Sequence, residues 1–77
     1  MIDYIPTDLT KKQTSLIIKA AERFGIGVAF QPLVIRSTIS EFALIVDAGY
    51  AKHCSAGWSC NAFMLTEKCQ PVIDANN

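Results

Sequence analysis

Polar and apolar positions alternate along this chain with two different periods, and each period predicts a different element. After Thr10, the residues Leu16, Ile17, Ala20 and Phe24 recur at helical spacing, while Lys12, Ser15, Lys19, Glu22 and Arg23 fill the opposite side. Thr10-Lys11-Lys12-Gln13 has the form of a capping box, and Gly25 suits the position just past a last helical turn. These features predict a helix that opens at Thr10 and stops at Gly25. In "GIGVAFQ" the period drops to two, with Ile26, Val28 and Phe30 alternating against Gly27, Ala29 and Gln31, which predicts a strand. Pro32 interrupts it, so "LVIR" reads as its continuation past a bulge or as a second short strand. Residues 2–5 read as an edge strand ending at Pro6. Strand, helix and returning strand would together make a small βαβ unit with a right-handed crossover.

A second capping box, Thr38-Ile39-Ser40-Glu41, precedes a stripe of Ile39, Phe42, Ala43, Val46 and Tyr50. Helix is the preferred reading. The rival is a β-hairpin with Phe42–Val46 as a strand and "DAG" as the turn, supported by Gly49 and the β-branched pair Ile45-Val46. "HCSAGWSC", residues 53–60, then reads as a turn. Beyond it "CNAFMLTEKCQ" predicts a third helix on a stripe of Trp58, Ala62, Leu65 and Cys69, with a strand through Ala62–Thr66 as the alternative. Pro71-Val72-Ile73 reads as a short edge strand and residues 74–77 as a frayed polar tail. The expected fold is α+β, a single globular domain over residues 1–77 with two or three helices and a two- to three-stranded sheet. An all-α three-helix arrangement is the alternative.

Composition supports a folded chain. Half of the 77 residues are apolar, which argues against intrinsic disorder. No apolar run approaches the ~18 residues that cross a membrane, and the start "MIDYIPTDLT" lacks the basic and apolar segments of a secretion signal. The expected location is the cytoplasm, where Cys54, Cys60 and Cys69 stay reduced. Seven basic and seven acidic residues cancel. Residues 1–36 carry Lys11, Lys12, Lys19, Arg23 and Arg36 against Asp3, Asp8 and Glu22, and the remainder leans acidic. An excess this small does not favour a protein that holds nucleic acid chiefly by its phosphates.

The candidate chemistry is sparse. His53, Cys54, Cys60 and Cys69 match zinc in ligand number, but the gaps of five and eight residues contain no C-x₂-C knuckle, and His53 adjoins Cys54. Buried small thiols explain the cysteines more simply, so neither metal nor cofactor is expected. A cysteine nucleophile needs a base or cation at the thiol, and no motif supplies one, so no enzymatic activity is expected. "SAGWSC" followed by "MLTEKC" resembles the ring-forming core of mersacidin- and actagardine-like lantibiotics, in which dehydrated Ser or Thr residues cross-link to cysteines. That resemblance implies rings Ser55–Cys60 and Thr66–Cys69. It spans about fifteen residues and needs an insertion between its halves, while the tail "QPVIDANN" departs from the pattern, so the chain is read as unmodified.

What remains is a non-catalytic protein that binds a macromolecular partner as an inhibitor, adaptor or regulator, the kind of role filled by small accessory proteins of phages and mobile elements. Tyr50 and Trp58, residue types enriched at binding hot spots, and the helix-one cations Lys12, Lys19 and Arg23 are the expected contacts. The partner class expected is protein, with self-association an open variant. The second reading is a nucleic-acid- or zinc-linked regulator using the same basic face and the Cys/His cluster.

Overall fold

The computed structural model describes residues 2–57 and 59–76, without the side chains of Ser55, Ala56, Ser59 and Cys60. The fold is α+β: three helices around a two-stranded antiparallel sheet, in one small domain. Helix α1 (Lys11–Arg23) and helix α2 (Ile39–Asp47) start where their capping boxes predict. At α1, Gln13 N–H donates to Thr10 Oγ1 (3.1 Å) and Thr10 N–H donates to Gln13 Oε1 (2.9 Å). At α2, Glu41 N–H donates to Thr38 Oγ1 (3.1 Å) and Thr38 N–H donates to Glu41 Oε1 (3.4 Å). Each box satisfies two donors that a bare helix start leaves unpaired. Helix α1 buries Leu16, Ile17 and Ala20 as its stripe predicts, together with Thr14, whose hydroxyl donates to Thr10 O at 2.9 Å. On α2 the buried pair is Phe42 and Ile45, not the whole expected stripe. Ile39 stays half-exposed, and Tyr50 lies beyond the helix end.

The sheet lies elsewhere than the sequence pattern suggests. Strands β1 (Ala51–Ala56) and β2 (Ser59–Leu65) form an antiparallel hairpin in which Ala51 faces Leu65 and His53 faces Phe63, with a bulge between Cys54 and Ala56. "HCSAGWSC" is therefore the end of a hairpin, not a connection between helices, and the third helix expected over 60–70 gives way to the alternative reading of a strand, β2. Pairing with β1 decides between the two readings. Phe63 and Leu65 reach the core from one face, and Ala62 is buried from the other. Among the described residues there is no parallel βαβ unit.

"GIGVAFQ" is not a regular strand. Gly25 and Gly27 hold positive φ (87° and 82°), a backbone that L side chains rarely adopt, and they turn the chain twice before a ladder can form. Two bridges remain: Ile26 pairs in parallel with Leu65, and Phe30 pairs antiparallel with Phe63. "LVIR" is not a strand either, because Pro32 starts a 3-10 turn, Pro32–Ile35.

Both ends of the described chain also differ from expectation. Asn76 bonds residues 2–5 in place of a neighbouring strand: Asp3 and Tyr4 N–H donate to its Oδ1 (2.6 and 2.9 Å), and its Nδ2 donates to Tyr4 O and Val72 O (both 2.9 Å). One side-chain amide thus occupies the backbone groups that a strand partner would have used, and residues 2–5 remain extended without a ladder. Pro71 sits in the first turn of helix α3 (Gln70–Ala75), following a 3-10 turn Glu67–Cys69. Residues 71–73 are helical there, with Val72 in the core. Of the tail expected to fray, Asp74 and Ala75 are helical and Asn76 is tied down, while Asn77 lies outside the described residues.

The core joins every element. Phe24 stacks on Phe30 (centroids 5.0 Å apart, 5° between planes), Phe30 meets Phe42 edge-on (5.4 Å, 86°), and Phe42 meets Phe63 (5.2 Å, 54°). These are all four phenylalanines of the chain. No described helix is long and apolar enough to cross a membrane. Because Phe42 is wholly buried among these rings, Phe42→Ala is expected to cost about 3–5 kcal/mol, much of the stability of so small a domain. Thr38→Ala, which removes one cap, is expected to cost about 1 kcal/mol. Urea unfolding followed by circular dichroism checks both values and their order.

Candidate functional site

The hairpin carries most of the residues that look reactive, and its geometry separates them. His53 and Cys54 are consecutive on β1, so their side chains leave opposite faces of the hairpin. His53 is exposed with its ring edge-on to Phe63 at 5.1 Å. Cys69 is fully buried below the base of the hairpin, where its thiol donates to Tyr50 O at 2.8 Å. Burial pushes that thiol up to about 11, so it stays protonated and is a poor nucleophile. The side chain of Cys60 lies outside the described residues. Among the described residues, no group of three His, Cys, Asp or Glu side chains is placed to hold a metal ion.

The predicted contact residues separate in the same way. Trp58 lies outside the described residues. Tyr50 is in the core, only 5% exposed, and its hydroxyl donates to Asp8 Oδ1 at 2.8 Å. Lys68 completes the cluster: Nζ is 3.2 Å from Asp8 Oδ2, donates to Ala48 O at 2.6 Å, and stands 4.4 Å above the Tyr50 ring. The Tyr50 hydroxyl, and after it Lys68, hold the Asp8 carboxyl below its ordinary value. Burial, reinforced by Asp8, pushes the Tyr50 phenol up to about 12. This cluster ties the turn before α1 to the start of the hairpin, the end of α2 and the 3-10 turn Glu67–Cys69, which makes Tyr50 a structural residue.

The three helix-one cations do share a surface, and the fold adds to it. A groove of about 340 Å³ between α1 and the 3-10 turn is lined by Lys19, Glu22, Arg23, Val34, Ile35 and Arg36. A second groove shares Lys19, Ile35 and Arg36 and runs to Lys11 and Lys12. Five of the chain's seven basic residues therefore line one continuous face. Two are engaged within the fold. Lys12 Nζ lies 2.7 Å from Glu41 Oε2, which with the Thr38 backbone holds Glu41 below its ordinary value. Arg23 Nη1 donates to Val34 O at 3.3 Å, tying α1 to the turn. Lys11, Lys19 and Arg36 have no ion pair among the described residues.

Sequence reading missed Arg36, which lies thirteen or more residues from the helix-one cations. It closes the 3-10 turn in the left-handed region (φ 59°), the only described non-glycine residue there, and its N–H donates to Leu33 O at 3.0 Å. An arginine in that conformation is uncommon. The turn it closes also points aliphatic side chains outward: Leu33 is 78% exposed and Val34 43%. On the side of the turn away from α1, Pro32, Leu33, Thr38, Ile39 and Asn61 line a mostly apolar groove of about 340 Å³. Residues 32–36 thus form a ridge with a cationic groove on one flank and an apolar groove on the other. Comparison with known protein families, curated proteins and solved structures gives no match for this chain.

Two outcomes are expected from these environments. Alkylation by iodoacetamide, mapped by mass spectrometry, should modify half-buried Cys54 in the native protein and Cys69 only after unfolding in urea; native labelling of Cys69 ahead of Cys54 would contradict its burial. The pH dependence of stability carries two signs. Asp8, depressed when folded, contributes stability above the unfolded carboxyl pKa that is lost as pH falls through its folded value. Tyr50, raised when folded, contributes stability below about pH 10 that is lost as pH rises from there toward its folded value of about 12. Tyr50→Phe should therefore flatten the alkaline limb of the urea midpoint against pH and weaken the acid limb.

Proposed function

We propose that this is a non-catalytic binding protein of the cytoplasm, acting as an inhibitor, adaptor or regulator, and that it engages a macromolecular partner with the ridge Pro32–Arg36 and the grooves beside it. The observation that carries this reading is the pairing of exposed aliphatic side chains with clustered cations on one ridge. Leu33 and Ile39 are 78% and 49% exposed, and they stand beside a face lined by five of the seven basic residues. Water solvates such a leucine poorly, and about 25 cal/mol is recovered for each Å² of apolar surface that a partner covers. The charges around it add orientation and on-rate more than affinity. Every buried side-chain nitrogen and oxygen among the described residues already has a hydrogen-bond partner, so polar demand within the interior does not explain the cations.

The test is affinity capture from the native host with the full chain as bait, read by mass spectrometry against two surface variants. Leu33→Asp and Arg36→Glu, verified as folded by circular dichroism, are each expected to lose the captured partner. Lys52→Glu, on the hairpin, is expected to keep it. Retention of every partner by both ridge variants contradicts the proposed face.

A further inference from the structure

Resting on that docking face, we infer that its occupant is an acidic, amphipathic protein segment whose apolar side chain enters the groove of Leu33 and Ile39 while its carboxylates meet Lys19, Arg23 and Arg36. Charge complementarity selects the acidic class. On the α1 flank Glu22 is the single acid among Lys19, Arg23 and Arg36, and at the far end Glu41 offsets Lys12 alone. The field left over is positive but modest, suited to a few carboxylates. The two flanks also lie close enough for one short segment to use both. Leu33 faces the apolar groove, Val34 the cationic one, and consecutive Cα atoms are about 3.8 Å apart. An amphipathic segment presents apolar and charged side chains within such a span.

Nucleic acid fits the same face less well. A duplex carries one phosphate charge per roughly 1.7 Å of axis, and a polyanion laid in the groove would meet Glu22 as well as the cations. Single strands are gripped by aromatic side chains on which bases stack. The ridge offers Leu33, Val34 and Ile39 instead, and neither groove is lined by an aromatic residue among those described.

The experiment selects random displayed peptides of about 16 residues, some four helical turns, on the immobilised full chain. Selected peptides are then measured by fluorescence anisotropy. The expected winners carry Asp or Glu around one or two Leu, Ile, Phe or Met residues. Their affinity should fall about tenfold in Arg36→Glu and in Leu33→Asp, hold in Lys52→Glu, and return in Arg36→Glu when a peptide Glu is exchanged for Lys. Basic or uncharged winners, no enrichment, or winners indifferent to both ridge variants overturn the inference. So does tighter binding of a 16-nucleotide strand or duplex, which would assign the face to nucleic acid. Host capture that depends on the ridge, together with basic winners, leaves the docking face standing and removes only the acidic partner.

Discussion

Phe30 and Phe63 exchange both backbone hydrogen bonds, each 2.8 Å from N to O, and their rings meet in the same cluster around Phe42. Most of the architecture depends on that pairing. It covers the outer edge of β2, which would otherwise expose unpaired backbone groups. It also fixes the chain between α1 and α2 at its midpoint. From there Pro32 can begin only one short turn before Thr38 caps α2, so the ridge 32–36 is held between two anchors. The ring contacts add about 0.5–1.5 kcal/mol per pair beyond their area, a large contribution in a domain whose total stability is small. The working face is thus an outcome of core packing, since the turn that projects Leu33 outward is the one that brings Phe30 inward.

Electrostatics then divides the surface. The Asp8–Tyr50–Lys68 cluster uses one of the two basic residues outside the N-terminal half to join the turn before α1 to the hairpin. Lys12–Glu41 joins the starts of α1 and α2. Surface pairs of this kind contribute little to stability. Their larger effect is on the field, because each removes a cation from solution while Lys11, Lys19 and Arg36 remain available on one side. A chain with no net charge thereby presents one locally cationic face. Such a face orients an approaching partner more than it tightens the complex.

The parts of this fold that are local in sequence were the parts legible in it. Two capping boxes located α1 and α2 because a cap is made by residues three apart, with no help from the rest of the protein. The segment 26–36 departs from its local pattern, and strand β2 is legible only as an alternative to helix, for the opposite reason. Ile26, Val28 and Phe30 alternate as a strand does, yet two glycines at positive φ break the ladder, and only the distant Phe63 decides which residue pairs. Residues 59–65 suit helix and strand about equally by composition, and their pairing with β1 settles it. At the two ends, the bonding of Asn76 to residues 3 and 4 spans more than seventy positions. The candidate face follows the same division. Lys12, Lys19 and Arg23 share a helix side visible in the sequence, whereas Arg36, Leu33 and Ile39 join them only through the turn. The available signal was Pro32 followed by three aliphatic residues and a cation.

Amide hydrogen exchange followed by nuclear magnetic resonance tests the organising role of the Phe30–Phe63 pair most directly. The Phe30 and Phe63 amides should exchange as slowly as those in the middle of α1, opening only when the whole domain unfolds. Fast exchange at Phe30, matching the neighbouring amides of Val28 and Ala29, would show that the connection is not anchored to β2 and that the ridge has no fixed position.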